Sequence, residues 1–298
     1  TATFAATENY NEVTVQDIFT IAPRPVELTW SGKTHIPYDG LEHTVTPSID
    51  NLVQGDACNL TCEAYQKVDA GTYIAEVIAL SNPNYTLEGG INTTLEWQIT
   101  PIAGTASVIM EGWTYDGTAN HAPSPVSTTN GTDHVTYRYT GTTISGVSYD
   151  SIEIPTDAGD YTVTATFAAT TNYEEAKAQA DFTIAKKDVM ATWSGLAQVY
   201  DTTEPVQAML SGVVSGDNVS AVVAEAGQTA GSYDLTATLT GAESANYTLK
   251  NGTATLTIQP KPVIFAVTDN VAEADGNVKH ADVAADDDKC TSYTVTYQ

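Results

Sequence analysis

Histidine is the first residue type to weigh, because converging histidines bind metal ions or act as general bases. Three of the five, His43, His121 and His280, follow a turn glycine by three or four residues, whereas His35 and His134 have no counterpart. A zinc site or a catalytic triad needs two or three converging partners, and the chain has no HExxH, CxxC or GxSxG motif. The sequence therefore predicts that these histidines are polar residues beside hairpins. It predicts no catalytic, cofactor-binding or metal site.

Cysteine offers the next possible chemistry, at Cys58, Cys62 and Cys290. None of the three recurs along the chain, although other phrases do, so a disulfide framework that repeats with the fold is excluded. Four residues of strand span about 13 Å, which is beyond disulfide reach. Cys58 and Cys62 can pair only if a turn lies between them, and we expect free thiols.

Tryptophan could bind sugar rings by stacking if its side chain were exposed. Trp30 and Trp193 occupy equivalent positions in two WSG phrases, which is typical of core residues. Trp97 replaces the phenylalanine of a recurring FTIA phrase, and we expect it too to pack in a core. The alternative is that Trp97 contacts a ligand, which makes it the one candidate ligand-binding residue of the chain.

A recurring tyrosine is explained more simply by structure. Tyr73, Tyr161 and Tyr233 each follow an Ala-Gly pair. A buried tyrosine hydroxyl usually finds a hydrogen-bond partner, so we expect each of them to bond the backbone of the adjacent turn.

These recurrences belong to a tandem repeat, which must be recognised before the fold is considered. TATFAAT occurs at Thr1 and again at Thr164, and an Asn-Tyr pair follows each Ala-Gly-x-Tyr phrase. Modules 1 and 3 share one set of phrases and module 2 has another. The predicted segments are 1–22, the last strands of a preceding module; 23–101, module 1; 102–185, module 2; 186–260, module 3; and 261–298, the first strands of a following module. We therefore expect an excerpt of a longer array.

Each module has the pattern of an all-β fold. Apolar and polar residues alternate in Thr-rich and Val-rich stretches such as Tyr161–Phe167, and Asp-Gly or Asn-Gly pairs separate them. Six or seven short strands in one module predict a small immunoglobulin-like β-sandwich. The segment 170–180 allows a short helix at most, and a β-grasp fold with one such helix is the alternative.

Composition limits the setting of the protein. The chain carries 37 acidic and 11 basic residues, a net charge of −26. Nucleic acid and anionic lipid would repel it, so neither a nucleic-acid partner nor membrane insertion is expected. The spread of acidic residues over all modules suits an extracellular protein.

The recurring phrases carry a family resemblance. WTYDG, DAGxY and NYxEAxAxxDFTIAK in module 2 resemble the MBG type of bacterial surface repeat, and WSG with NYTL in modules 1 and 3 resembles its YDG-type relative. Module 3 departs from the pattern with YDT at Tyr200. The resemblance implies a secreted or wall-attached, adhesin-like multi-repeat protein, and it supplies no catalytic residues.

Three functional hypotheses follow for this chain. The first is a non-enzymatic stalk or spacer at the bacterial cell surface, with adhesion as a further role and neighbouring modules as partners. The second is a module that binds glycans or host proteins. The third is an accessory region of a secreted carbohydrate-active enzyme or protease.

Overall fold

The computed structural model describes residues 1–201, 204–268, 274, 276–277 and 282–296, and these residues form an almost entirely β structure. Apart from a single 3-10 turn at Ser244–Asn246, no helix occurs in the described ranges. The predicted all-β class is therefore confirmed. Where the sequence allowed a short helix, at 170–180, the chain makes a turn and then enters a strand at Ala176, in which buried and exposed positions alternate. The β-grasp alternative thus lacks its helix.

Contacts between Cα atoms divide the chain into two compact units. Unit 1 comprises Thr1–Ile109, Pro123–Tyr137 and Thr164–Ala180. Unit 2 comprises Met110–Ala122, Arg138–Val163 and Asp181–Gln298. Module 2 contributes to both units, and the module boundaries drawn from the repeats stay predictions.

Module 1 is a two-layer sandwich within unit 1. Its strands are β3 (Arg24–Ser31), β4 (His35–Pro37), β5 (His43–Thr44), β6 (Thr46–Ile49), β7 (Leu60–Glu63), β8 (Gln66–Lys67), β9 (Gly71–Leu80), β10 (Tyr85–Ile91) and β11 (Thr94–Thr100), and β1 (Ala2–Phe4) and β2 (Val13–Val15) precede them. One sheet has the order β10-β3-β6, and the facing sheet has the order β4-β11-β9-β7. The pairs β10/β3 and β11/β4 are parallel, whereas the neighbours of β9 run antiparallel to it.

The core of module 1 lies between these two sheets. Alternate residues of β9 and β11 point inward, and they bury Ala75, Val77, Trp97 and Ile99. Burial of such apolar side chains contributes about 25 cal/mol for each Å² removed from water. Buried residues therefore recur at every second position of these strands, as the alternation in the sequence predicts.

Module 3, within unit 2, repeats the same topology. Its strands are β19 (Lys187–Ser194), β20 (Ala197–Val199), β21 (Gln207–Ser211), β22 (Ser220–Val223), β23 (Gly231–Thr240), β24 (Tyr247–Lys250) and β25 (Thr253–Gln259). The sheets have the orders β21-β19-β24 and β20-β25-β23-β22. The pairs β19/β24 and β20/β25 are parallel, as in module 1. Two modules with the same phrases therefore have the same strand order.

Module 2 has a different arrangement of strands. They are β12 (Ser107–Ile109), β13 (Trp113–Thr114), β14 (Ser124–Val126), β15 (Val135–Thr143), β16 (Ser148–Ser151), β17 (Gly159–Phe167) and β18 (Ala176–Ala185). β12 pairs with β14 in one small sheet, and the larger sheet has the order β13-β18-β17-β15-β16. In unit 2, Phe182 of β18 stacks on the rings of Trp113 and Tyr161. This aromatic cluster is a core of the kind that the sequence predicts for each module.

The first and last segments are less well packed than the modules. Residues 1–22 repeat the phrases of β17 and β18, yet Phe19 is 83% exposed whereas its counterpart Phe182 is 5% exposed. After module 3, β26 (Phe265–Thr268) pairs with β27 (Asp282–Ala285). His280 and most of the stretch between these two strands lie outside the described residues.

Candidate functional site

Each tyrosine that follows Ala-Gly bonds the turn in front of it. The hydroxyl groups of Tyr73, Tyr161 and Tyr233 donate to the backbone carbonyl oxygens four residues earlier, at 2.6, 2.8 and 2.9 Å. Burial, with the nearby Asp157 carboxylate, raises the pKa of Tyr161 to about 12, because both disfavour the phenolate. The predicted hydrogen bond to the turn is thus confirmed in all three modules. It fixes the shape of the Ala-Gly loop.

The loop of module 1 receives an asparagine from module 2, and both lie in unit 1. The Ala70 N–H donates to Asn172 Oδ1 at 2.8 Å, and Asn172 Nδ2 donates to Asp69 Oδ1 at 3.0 Å. Tyr173, the next residue, meets Tyr38 edge to face, with ring centroids 5.5 Å apart. We call this arrangement an Asn-Tyr clasp.

A second clasp in unit 2 joins modules 2 and 3 in the same way. The Ala158 N–H donates to Asn246 Oδ1 at 2.8 Å, and Asn246 Nδ2 donates to Asp157 Oδ1 at 2.9 Å. Tyr247 meets Tyr115 edge to face at 5.4 Å. Ala158 is 0% and Asn246 3% exposed. A buried amide without a partner is costly, so these hydrogen bonds stabilise the junction.

The second clasp has an additional polar centre at Asp217. One oxygen of its carboxylate, Oδ2, accepts hydrogen bonds from both Tyr115 and Tyr247 hydroxyl groups. Burial is the larger cause and the hydrogen bond to Asp217 the second. Together they raise the pKa of Tyr247 to about 12, and they also raise the pKa of Tyr115. A protonated hydroxyl can donate to a carboxylate, whereas a phenolate would be repelled by it. The contact therefore requires neutral tyrosines.

Two of the histidines that follow turn glycines, His43 and His121, pair with the aspartate of the same turn. His43 Nε2 lies 2.8 Å from Asp39 Oδ1, and His121 Nε2 lies 3.0 Å from Asp116 Oδ2. A hydrogen bond from the Leu41 amide, together with His43, lowers the pKa of Asp39. These pairs lie beside hairpins, as predicted. Over the described residues no group of three or more His, Cys, Asp or Glu side chains converges to bind a metal ion.

Trp97 is a core residue in this structure. It is 1% exposed, its ring packs near Tyr73, and its indole N–H donates to the Ala64 carbonyl oxygen at 3.0 Å. Trp30 and Trp193 donate their indole N–H groups to equivalent carbonyl oxygens, those of Asn92 and Asn251. No open ring face at Trp97 supports the ligand-contact hypothesis, whereas its packing agrees with the core role.

The three cysteines, Cys58, Cys62 and Cys290, are free thiols. Cys58 and Cys62 pack against the buried cluster that contains Val26 and Leu28. Burial raises the pKa of the Cys62 thiol, which keeps it protonated and unreactive. The expected state of these side chains is thus observed.

Comparison with known proteins places module 3 beside one family. Residues 189–257 match the family model of the MBG domain (YGX type). Module 3 is similar to an MBG domain. The likeness predicted from the phrases is confirmed there, in a module to which the sequence assigned the YDG-type variant. No similar protein was found among curated sequences.

The asparagines of the two clasps are the functional residues that sequence reasoning missed. Asn172 and Asn246 stand in the Asn-Tyr phrases that mark the repeat, and Asn246 lies in an Asn-x-Thr sequon. Their recurrence immediately before a tyrosine was the available signal. It did not reveal a partner, because Ala70 and Ala158 are distant in sequence.

Among the described residues no helix is long and apolar enough to cross a membrane.

Proposed function

We propose that this chain is a non-enzymatic, extracellular repeat region of a bacterial surface protein, in which clasped modules serve as a stalk or spacer. An MBG domain suggests a repeat region of a surface protein, and module 3 is similar to one. The observation that carries the proposal is the Asn-Tyr clasp, which occurs twice with the same hydrogen bonds. A spacer needs stable junctions, and the same polar contact recurs between modules 1 and 2 and between modules 2 and 3, half-buried in the first case and buried in the second.

The chemistry of the clasp suits a mechanical role better than a binding role. Its asparagine bonds the amide and one carboxylate oxygen of the preceding loop, so these two atoms are not free to hold a ligand. The high net negative charge of −26 keeps such a chain soluble and discourages association with other acidic surfaces.

Small-angle X-ray scattering tests the stalk proposal. A compact protein of 298 residues would have a radius of gyration of about 19 Å. The longest strands of modules 1 and 3 have 10 residues each and span about 33 Å, so a stalk of three modules in line would be about 100 Å long. Such a rod has a radius of gyration of about 29 Å. A measured value near 19 Å would overturn the proposal.

Two further measurements separate the stalk from the binding hypotheses. The double variant Asn172→Ala and Asn246→Ala should loosen both seams and lower the radius of gyration, whereas Asn84→Ala, a matched asparagine outside both clasps, should leave it unchanged. A glycan array probed with the full chain should show no saturable binding. Saturable binding would favour the glycan-binding module instead.

A further inference from the structure

Module 1 carries a third Asn-Tyr phrase, and its surroundings match those of the second clasp. The hydroxyl of Tyr85 donates to Asp56 Oδ2 and accepts from the Val53 N–H, at 2.9 and 2.8 Å. In module 3 the hydroxyl of Tyr247 donates to Asp217 and accepts from the Val214 N–H. The two modules therefore hold this tyrosine in the same way.

Both tyrosines are buried, and the two sites differ in the exposure of the residues around them. Asn84, Asp56 and Val53 are exposed, and Val53 has 52% of its surface open to solvent. In module 3 the corresponding Asn246 is buried, and Asp217 and Val214 are half-buried. We call the group Val53, Asp56, Asn84 and Tyr85 the Asn84 face.

What covers the equivalent face in module 3 is visible in the structure. The Asp-Ala-Gly loop of module 2 binds Asn246, and the Tyr115 hydroxyl donates to Asp217 at 2.9 Å. The adjacent turn lies against Val214, since a Cβ on Gly117 would be 3.2 Å from its Cγ1. Each residue of the Asn84 face therefore has a counterpart in module 3 that contacts module 2.

We infer that the Asn84 face is a docking surface for a module of the module 2 kind, which binds through its Asp-Ala-Gly loop and the tyrosine of its Tyr-Asp-Gly turn. The inference rests on the proposed function, because it adds a further clasp to the same array. Asn84 receives the loop amide on Oδ1 and donates from Nδ2 to the loop aspartate. Asp56 accepts from the incoming tyrosine hydroxyl, and Val53 packs against the turn.

The kind of partner follows from the residues at the face. The clasp between modules 1 and 2 joins Tyr38 to Tyr173 by ring contact, whereas the clasp between modules 2 and 3 also uses a carboxylate to bind Tyr115. Asp56 is the counterpart of that carboxylate. Residues 1–22, which precede module 1, repeat the last two strands of module 2 and expose Phe19. A module 2 partner therefore fits the polar groups of the face, and residues 1–22 carry phrases of the same module kind.

The experiment extends the full chain with a copy of residues 102–163 fused in front of Thr1. With 1–22 in the place of 164–185, the fusion completes a second copy of module 2 before the Asn84 face. Amide hydrogen exchange is followed at the fused copy of Ala158. In the extended chain, Asn84→Ala should speed this exchange by about 100-fold, because two hydrogen bonds of the clasp are lost. Asn9→Ala, in the Asn-Tyr pair of 1–22, is the matched control and should have no effect.

Either of two results would overturn the inference. The first is that the fused copy of Ala158 exchanges at the same rate in the extended chain and in its Asn84→Ala variant, while the core of the fused copy is protected. The second is a fused segment that stays unprotected throughout, since 1–22 would then complete no module at this face. Neither result depends on the radius of gyration or on glycan binding, so the stalk proposal is tested separately.

Discussion

Replacement of Asn246 by alanine should open the second clasp without unfolding the modules. Asn246 makes two hydrogen bonds, one from the Ala158 N–H and one to the Asp157 carboxylate. Removal of the Asn246 side chain leaves the buried Ala158 N–H without a partner, which costs about 1–3 kcal/mol. It also removes the hydrogen bond to the charged Asp157 carboxylate, which is worth about 1.5–3 kcal/mol. Because the two values overlap in part, we expect a loss of about 3 kcal/mol in the local free energy of opening.

The assay is amide hydrogen exchange resolved at Ala158. A loss of about 3 kcal/mol corresponds to exchange about 150-fold faster. Asn172→Ala should have a smaller effect at Ala70, because Asn172 is only half-buried and water can replace its bonds. Asn84→Ala is the control and should leave Ala158 protected. Unchanged protection of Ala158 in the Asn246 variant would refute the reasoning, since the amide would then depend on something other than the clasp.

Three further predictions test the packing of the modules. Gly159→Ala should lower the free energy of unfolding by about 2–3 kcal/mol in urea titrations, because its Cβ would lie 2.4 Å from a backbone oxygen. Gly71→Ala should cost less than about 1 kcal/mol, because its nearest neighbour, the Tyr73 hydroxyl at 3.0 Å, has to shift only slightly. Trp97→Ala should destabilise module 1 by about 3–5 kcal/mol in the same assay and leave a glycan array as blank as before, and retained stability would contradict its core role. The folded-state pKa of Tyr161, about 12, lies above the usual value near 10, so its contribution to stability is complete below pH 10 and is lost as the pH rises to 12. Thermal melts between pH 9 and 12 should show a shallower loss in Tyr161→Phe, and equal slopes would contradict this pKa.

Most of the fold could be predicted from local sequence patterns, namely the alternation within strands and the residue pairs at turns. The alternation in stretches such as Tyr161–Phe167 predicted strands because side chains of a strand point to opposite faces, and burial in β17 alternates accordingly. Gly40, Gly117 and Gly131 have positive φ at the predicted turns. At the Asn251-Gly252 turn, Asn251 adopts the left-handed conformation in place of the following glycine. Local sequence marks such a turn, but not which of its two residues takes the strained conformation.

The sequence by itself determined the repeat, the two kinds of module and the hydrogen bond that each Ala-Gly tyrosine makes, because all of these are local or recur at matching places. Only the tertiary structure decided what the Asn-Tyr phrases do. Asn172 reaches a loop 102 residues earlier, and Asn246 reaches one 88 residues earlier. No periodicity encodes such a pairing, because its two partners lie far apart in sequence and come together only in the folded chain. For Trp97 the sequence favoured a core position because of its place in the recurring FTIA phrase, and the structure buries its side chain there.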